Sequence, residues 1–330
     1  MATLMGGVSR QPYAAAFPQD RFYCLLDELP LHLVPRHSGS SPGVGAELFF
    51  NPNCSLLPAQ EVPPELATQD LLSGFARQGT IAWVRDEKRK TLLPFWLGPD
   101  LENLVRSLSP KKPVPQNVPE QIRAVLAGTG ILISKASDSN GAVTSNANLE
   151  QARVMFRERG YAPLCSLIHP YHVAALRRYY RHAIRKGMVQ LGDDQSRLRY
   201  AVHNEPVARF FHHHITATLS AVAGQPLKPS YVYLASYLSG AELKKHKDRE
   251  QCEFSITLCL DYSPEPELAT PWPIRLDTER GQVCVYQGLG DGLAYRGTQL
   301  PHYRDKLGPG QTSTSIFFHY VSADFRGPLN

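Results

Sequence analysis

At 330 residues the chain can bury a large core, as one large domain or two of ordinary size. A hydrophobic content of 42% with 20% charged residues excludes a disordered chain, and 27 prolines favour many loops and turns. The net charge of +5 welcomes an acidic substrate but falls short of a nucleic-acid-binding signature.

Phe22, Leu25, Leu26 and Leu29 have helical spacing, and Glu47 to Phe50 predicts a strand leading into the turn Asn51-Pro52-Asn53. Pro63 and Pro64 open a predicted helix whose apolar face, Leu66, Leu71, Leu72 and Phe75, runs to about Arg77. Gly79 to Val84 and Thr91 to Leu97 read as strands on either side of the charged turn DEKRK. SPKKPVPQNVP, with four prolines in eleven residues, is a stiff linker. Ile122, Val125 and Leu126 then make a short helix ending at Gly128, followed by the apolar Ile131-Leu132-Ile133. Residues 1–135 thus read as a small α/β module compatible with a winged-helix-like arrangement. Two roles fit it: an elaborated cap on the main domain, or a docking module for a peptide or protein substrate. The polar run 136–148 is the expected linker, and 149–330 is expected to fold by itself.

Asn148 can cap a helix carrying Leu149, Ala152, Met155 and Phe156 and closed by Gly160. Pro170 opens a second, with Val173, Leu176, Tyr180 and Ile184 on one face and the basic RRYYRHAIRK on a face expected to be solvated. Pro206 begins a third, ended by Gly224. Inside it lies His212-His213-His214, whose side chains diverge by roughly 100° per residue and read as helix surface rather than ligands.

From Tyr231 the period changes from 3.6 to 2. Tyr231, Tyr233, Ala235 and Tyr237 share one face, and Ser239-Gly240 makes a turn. Phe254, Ile256, Leu258 and Leu260 alternate with Ser255, Thr257 and Cys259. Pro273 to Leu276, Gln282 to Gln287, Leu300 to Arg304 and Thr314 to Val321 are further short strands. Such a run fits a double-sheet jelly roll, whose mouth is a usual place for a small-ligand site. The fold class expected is α+β: a double-stranded β-helix with a helical lead-in and the small α/β module before it.

Within this run, an extended His246-Lys247-Asp248 aims one imidazole and one carboxylate to a common side. A third ligand would complete a 2-His-1-carboxylate site of the kind that holds non-haem Fe(II) with positions open. The candidate is His302 in LPHYR, 56 residues after His246.

Tyr237, Gly240, His246-Lys247-Asp248, SITLCLDY, GQVCVYQ, LPHYR and SIFFHYV follow one another in order and spacing. The run resembles the catalytic core of the Fe(II)/2-oxoglutarate-dependent dioxygenases, nearest to their prolyl-hydroxylase-like branch, over about residues 149–325. That resemblance implies His246, Asp248 and His302 as catalytic iron ligands, and Tyr237 as a hydrogen-bond partner of 2-oxoglutarate. It also implies dioxygen as co-substrate and oxidation of a substrate C–H bond, most often hydroxylation. One feature departs from the family pattern. The basic residue expected about ten positions after the distal histidine is replaced by Gln311-Thr312-Ser313. Another cation must then pair with the far carboxylate of the co-substrate. Arg304, two residues beyond His302 on the same strand face, is the first candidate, with Arg296 and Arg249 in reserve.

The substrate is a peptide, protein or small molecule, with a slight lean to a peptide or protein side chain. Arg199-Tyr200 and His203-Asn204-Glu205 are possible lining residues. A non-catalytic jelly-roll binding protein and a cupin-like isomerase are the competing readings, the latter disfavoured by the lack of further histidines at short spacing. Cys24, Cys54, Cys165, Cys252, Cys259 and Cys284 form no CxxC pair and read as mostly buried free thiols. With neither a signal pattern nor an apolar run of roughly 18 residues, a cytoplasmic location without nucleic-acid or membrane partners is expected.

Overall fold

The computed structural model describes residues 22–29, 47–61, 63–66, 79–86, 91–134 and 146–329. In the first part, β1 (Leu48–Phe50) pairs with the distant β5 (Leu132–Ser134). β2 (Cys54–Pro58), β3 (Thr80–Asp86) and β4 (Thr91–Leu97) form an antiparallel meander. Two helices, α1 (Pro99–Ser107) and α2 (Glu120–Gly128), lie between β4 and β5. The sequence reading lacks both α1 and β2. Where a helix was expected over Phe22 to Leu29 there is a single 3-10 turn, Leu26–Glu28. Its approach is held extended because the Cys24 N–H donates to the Trp96 carbonyl, and its own carbonyl accepts from Gly98 N. The helix expected up to Arg77 is described only as a turn, Pro64–Leu66, and the rest lies outside the described residues.

Most of the expected linker is also outside them, but α3 (Asn146–Arg159) already begins inside it, two residues before the proposed cap Asn148. After β6 (Tyr161–Leu164), α4 (Pro170–Arg185) starts on Pro170, with His169 accepting from Tyr171 N. Its basic face is only partly solvated: Arg185 and Lys186 are exposed, but the arginines before them are paired. Arg177 and Arg181 both grip Asp261, Arg177 also reaches Glu265, and Arg178 pairs with Glu28. β7 (Gln190–Leu191) and β8 (Arg199–His203) precede α5 (Pro206–Ala223). The buried Glu205 carboxylate caps α5, accepting from Val207 N and Ala208 N and from the hydroxyls of Tyr179 and Tyr180. Gly224 closes it in the left-handed conformation, φ 74°.

His212 departs from the surface expected of the histidine triplet. It is buried, with Nε2 2.7 Å from the carbonyl oxygen of His319. It is a satisfied core histidine, not a ligand.

The jelly roll follows. β9 (Leu227–Tyr237), β10 (Leu243–His246), β11 (Phe254–Ser263), β12 (Ile274–Thr278), β13 (Gly281–Val285), β14 (Gly292–Arg296), β15 (His302–Arg304) and β16 (Thr312–Ser322) are divided between two sheets. The larger has the order β6-β14-β11-β16-β9-β8-β7 and the smaller β10-β15-β12-β13, antiparallel throughout. The sequence reading has no strand at β14, though Leu293 and Tyr295 point into a packed cluster with Tyr161, Ile274, Leu276 and Val285. Both sheets supply that cluster, so it joins them across the roll.

The apolar core is continuous between the first part and the helices. Phe22 meets Tyr179 and Phe211 edge-on, Trp96 meets Phe210 at 5.5 Å, and Phe95 stacks on His172 at 4.9 Å. The Tyr171 hydroxyl donates to the Trp96 carbonyl. Among the described residues no helix is long and apolar enough to cross a membrane.

Candidate active site

β10 and β15 lie side by side, with Leu243 opposite Arg304 and His246 opposite His302. Between these pairs, Lys244 and Lys245 on β10 thus answer to Tyr303 alone on β15. The resulting irregularity lets Leu243 and His246, three apart, face the same interior as Arg304 and His302, two apart. Asp248 reaches that interior by a different route from the one expected. The strand ends at His246, and Asp248 sits in the following coil, its N–H donating to the Gly297 carbonyl at 2.9 Å.

Asp248 Oδ1 lies 3.6 Å from Nε2 of His246 and 3.5 Å from Nε2 of His302, and the two imidazole centroids are 4.4 Å apart. Such spacings exceed hydrogen-bond length, so the three groups converge without satisfying one another. A divalent cation about 2.1 Å from each would do so with little movement. Nδ1 of His246 is 2.7 Å from the Lys244 carbonyl and Nδ1 of His302 is 3.0 Å from the Leu300 carbonyl. A carbonyl can only accept, so both rings carry their proton on Nδ1 and turn the Nε2 lone pair inward. Burial, and then the neighbouring His302, pull His246 below its ordinary pKa and keep it neutral. Burial works to raise Asp248, but His302, His319 and Ser255 outweigh it and leave the carboxyl at about 2. A neutral His246, an ionised Asp248 and the inward-turned Nε2 of His302 therefore face one point where a cation can bind. The donor set fits a 2-His-1-carboxylate iron site.

Ser255 holds the carboxylate from behind, donating to Asp248 Oδ2 at 3.0 Å, while His319 Nδ1 lies 2.9 Å from the same hydroxyl. The sequence reading passed over both residues. The available signal was the small polar series Ser255, Thr257, Cys259 on the inner face of an apolar strand.

The site opens on a cavity of about 460 Å³. Its lining includes Tyr231, Tyr233 and Phe317 from the large sheet and Asp193, Asp194 and Gln195 from the loop before β8. Tyr237, Arg199, His203 and Arg249 line it as well, and no described residue of the N-terminal part does. Tyr237 is fully buried, its hydroxyl 3.4 Å from Arg199 Nη1 and its ring edge-on to Trp272 at 5.2 Å. Arg199 is already answered by Asp193 at 2.7 Å. Arg249 lies over the Tyr231 ring at the rim. Of the other suggested lining residues, Asn204 accepts from Val232 N and Glu205 caps α5. Tyr200 faces a separate cleft with Arg181 and Thr312.

The three candidate anchors separate clearly. Arg296 is not brought to the site, since its guanidinium lies against the rings of Phe156 and Phe254. Arg304 lies inside the roll, 4% exposed and 4.7 Å above the Trp272 ring. Its Nη1 donates to the Trp272 carbonyl and its Nη2 to Gln287 Oε1, both neutral acceptors, and Nε has no partner. Burial pulls its pKa down, as expected of a cation without a counter-charge. The hydroxyls of Tyr262 and Ser315 are likewise buried and unpartnered. Ser313, at the position where the family pattern places its cation, pairs with both Tyr237 and Tyr262 across the sheet.

No protein-family model and no curated protein matches the sequence. Among solved structures, the chain is similar to the non-heme alpha ketoglutarate dependent epimerase SnoN from nogalamycin biosynthesis. The two share 15% identity with a TM-score of 0.46, over 54% of this chain and 84% of that one. It is similar also to a Pseudomonas putida prolyl-4-hydroxylase, at 14% identity and a TM-score of 0.44, over 54% of this chain and 100% of that one. A third is HygX from Streptomyces hygroscopicus, with nickel, 2-oxoglutarate and hygromycin B bound. There the identity is 12% and the TM-score 0.43, over 53% of this chain and 88% of that one.

Proposed function

We propose that the chain is an Fe(II)- and 2-oxoglutarate-dependent oxygenase that hydroxylates an unactivated C–H bond. The observation that carries this reading is the convergence of two Nε2 lone pairs and one carboxylate oxygen at the cavity floor, both tautomers being set by backbone carbonyls. When bound, the iron supplies the dioxygen chemistry, with 2-oxoglutarate as the electron source that becomes succinate and carbon dioxide.

The chain's own residues do the rest. His246, Asp248 and His302 would hold the iron, and the cavity beside them would admit the co-substrate and substrate. Arg304 pairs with the far carboxylate of the co-substrate. Its unpartnered Nε and the nearby Tyr262 hydroxyl supply further donors. Tyr237, positioned by Arg199, lies between this cradle and the metal ligands. Aromatic walls, Tyr231, Tyr233 and Phe317, keep water from the reacting carbon. The substrate, a peptide or protein side chain or a small metabolite, enters by the open mouth. Phe22, Phe95 and Trp96 of the N-terminal part pack on α4 and α5, and that part acts as a cap on the helices.

Anaerobic titration of the Fe(II)-loaded protein with 2-oxoglutarate tests this. A weak visible charge-transfer band should grow with the co-substrate, and Asp248→Ala should lack both the band and substrate-independent succinate formation. Absence of the band in the unmodified protein, or full iron occupancy in a His246→Ala/His302→Ala variant, overturns the reading. The first of these outcomes leaves a non-catalytic binding protein.

A further inference from the structure

Asp248 belongs to two ligand sets. Besides the two-histidine set, a carboxylate oxygen of Asp248, Sγ of Cys252 and a ring nitrogen of His319 all lie within 4.8 Å of one another. Cys252 sits on the 3-10 turn after Asp248, and His319 on β16 across the roll. Ser255 bonds to both Asp248 and His319 and so fixes their separation. Cys252 and His319 are both buried, and both line the cavity wall, so a cation can reach them from solvent.

We propose that Asp248, Cys252 and His319 form a second metal site, selective for a soft divalent cation such as zinc. Sulfur, imidazole and carboxylate together are a zinc donor set, and thiolate favours zinc over the harder iron(II). Charge also balances. Thiolate and carboxylate neutralise a dication while the imidazole remains neutral, and the thiol proton leaves to solvent as the metal–sulfur bond forms. Without metal, the thiol stays neutral and lies 3.0 Å from the Tyr231 hydroxyl. Since Asp248 is common to both sets, zinc here draws the carboxylate from the iron ligands, and zinc and iron(II) compete although their other ligands differ. The site rests on this geometry alone and not on the oxygenase reading.

Cobalt(II) added to the metal-free full-length chain is the probe. Thiolate-to-cobalt absorption in the near ultraviolet should appear, be displaced by one equivalent of zinc and release one proton per zinc bound. It should persist in a folded His246→Ala/His302→Ala variant and vanish in Cys252→Ser. No such absorption in the unmodified protein, or absorption that survives Cys252→Ser, overturns the proposal. In the unmodified protein, tenfold more iron(II) should be needed to fill the triad when zinc is present, and Cys252→Ser should abolish that requirement.

Discussion

Asp248 and Gly297 are locked together. The Asp248 N–H donates to the Gly297 carbonyl, and a Cβ placed on Gly297 would overlap Asp248 Oδ2 and the Cys252 carbonyl oxygen. The obstruction involves backbone and the carboxylate proposed to bind the metal, neither of which can swing away freely. Gly297→Ala is therefore expected to displace the carboxylate while leaving both sheets intact. Loss of orienting contacts of this kind weakens metal binding by about ten- to a hundredfold. Calorimetric Fe(II) titration, with far-ultraviolet circular dichroism as the fold control, checks it.

Arg304→Ala should raise the dissociation constant for 2-oxoglutarate at least about a hundredfold, with Fe(II) binding unchanged. Removing one member of a buried charge pair costs on the order of 3–5 kcal/mol, which is two to three powers of ten or more in affinity. Arg304→Lys should recover only part, since a point charge replaces a forked donor. Arg296→Ala, which alters only a stack on Phe156 and Phe254, should leave co-substrate affinity as it was.

His212 sets an acid limit on stability. Burial depresses its pKa from 6.5 to about 3, so between those values the unfolded chain binds a proton that the folded one refuses. Its contribution is fully present above pH 6.5 and is lost as pH falls toward 3, at a slope approaching about 1.4 kcal/mol per pH unit. His212→Gln keeps a donor in reach of the His319 carbonyl without the titration. Urea melts between pH 7 and pH 4 should show a shallower loss in the variant.

A fragment of residues 149–330 is expected to be insoluble or to melt without cooperativity. Removing the N-terminal part uncovers the faces of Tyr179, Phe210 and Phe211 that Phe22 and Trp96 cover, and strips Phe95 from His172. Fully burying each such side chain contributes roughly 1.5–3 kcal/mol. Several together rival the whole stability of an ordinary domain. A soluble fragment with a single sharp transition would instead support the division at the polar run 136–148.

Much of this protein was legible in its sequence because short-range rules governed it. Alternation along β9 and β11 told inner from outer faces, and proline and glycine punctuation located α4 and α5. The two-residue step from His302 to Arg304 put both inside because β15 is a regular strand. Where a long-range contact decided, local pattern was silent. Asp248 shares the site of His246 through the carbonyl of Gly297, not through strand alternation, and no spacing of three letters encodes that partner. The arginines of α4 looked like a solvent-facing stripe, but Asp261, Glu265 and Glu28 meet them from elsewhere in the chain. Amphipathic periodicity records which side of a helix is polar, not whether another element's carboxylate covers it. Strand alternation from His302 put Arg304 first, but only the tertiary structure showed what surrounds each arginine. Arg304 meets a buried interior without a counter-charge, and Arg296, on a strand the sequence reading lacks, meets a pair of phenyl rings.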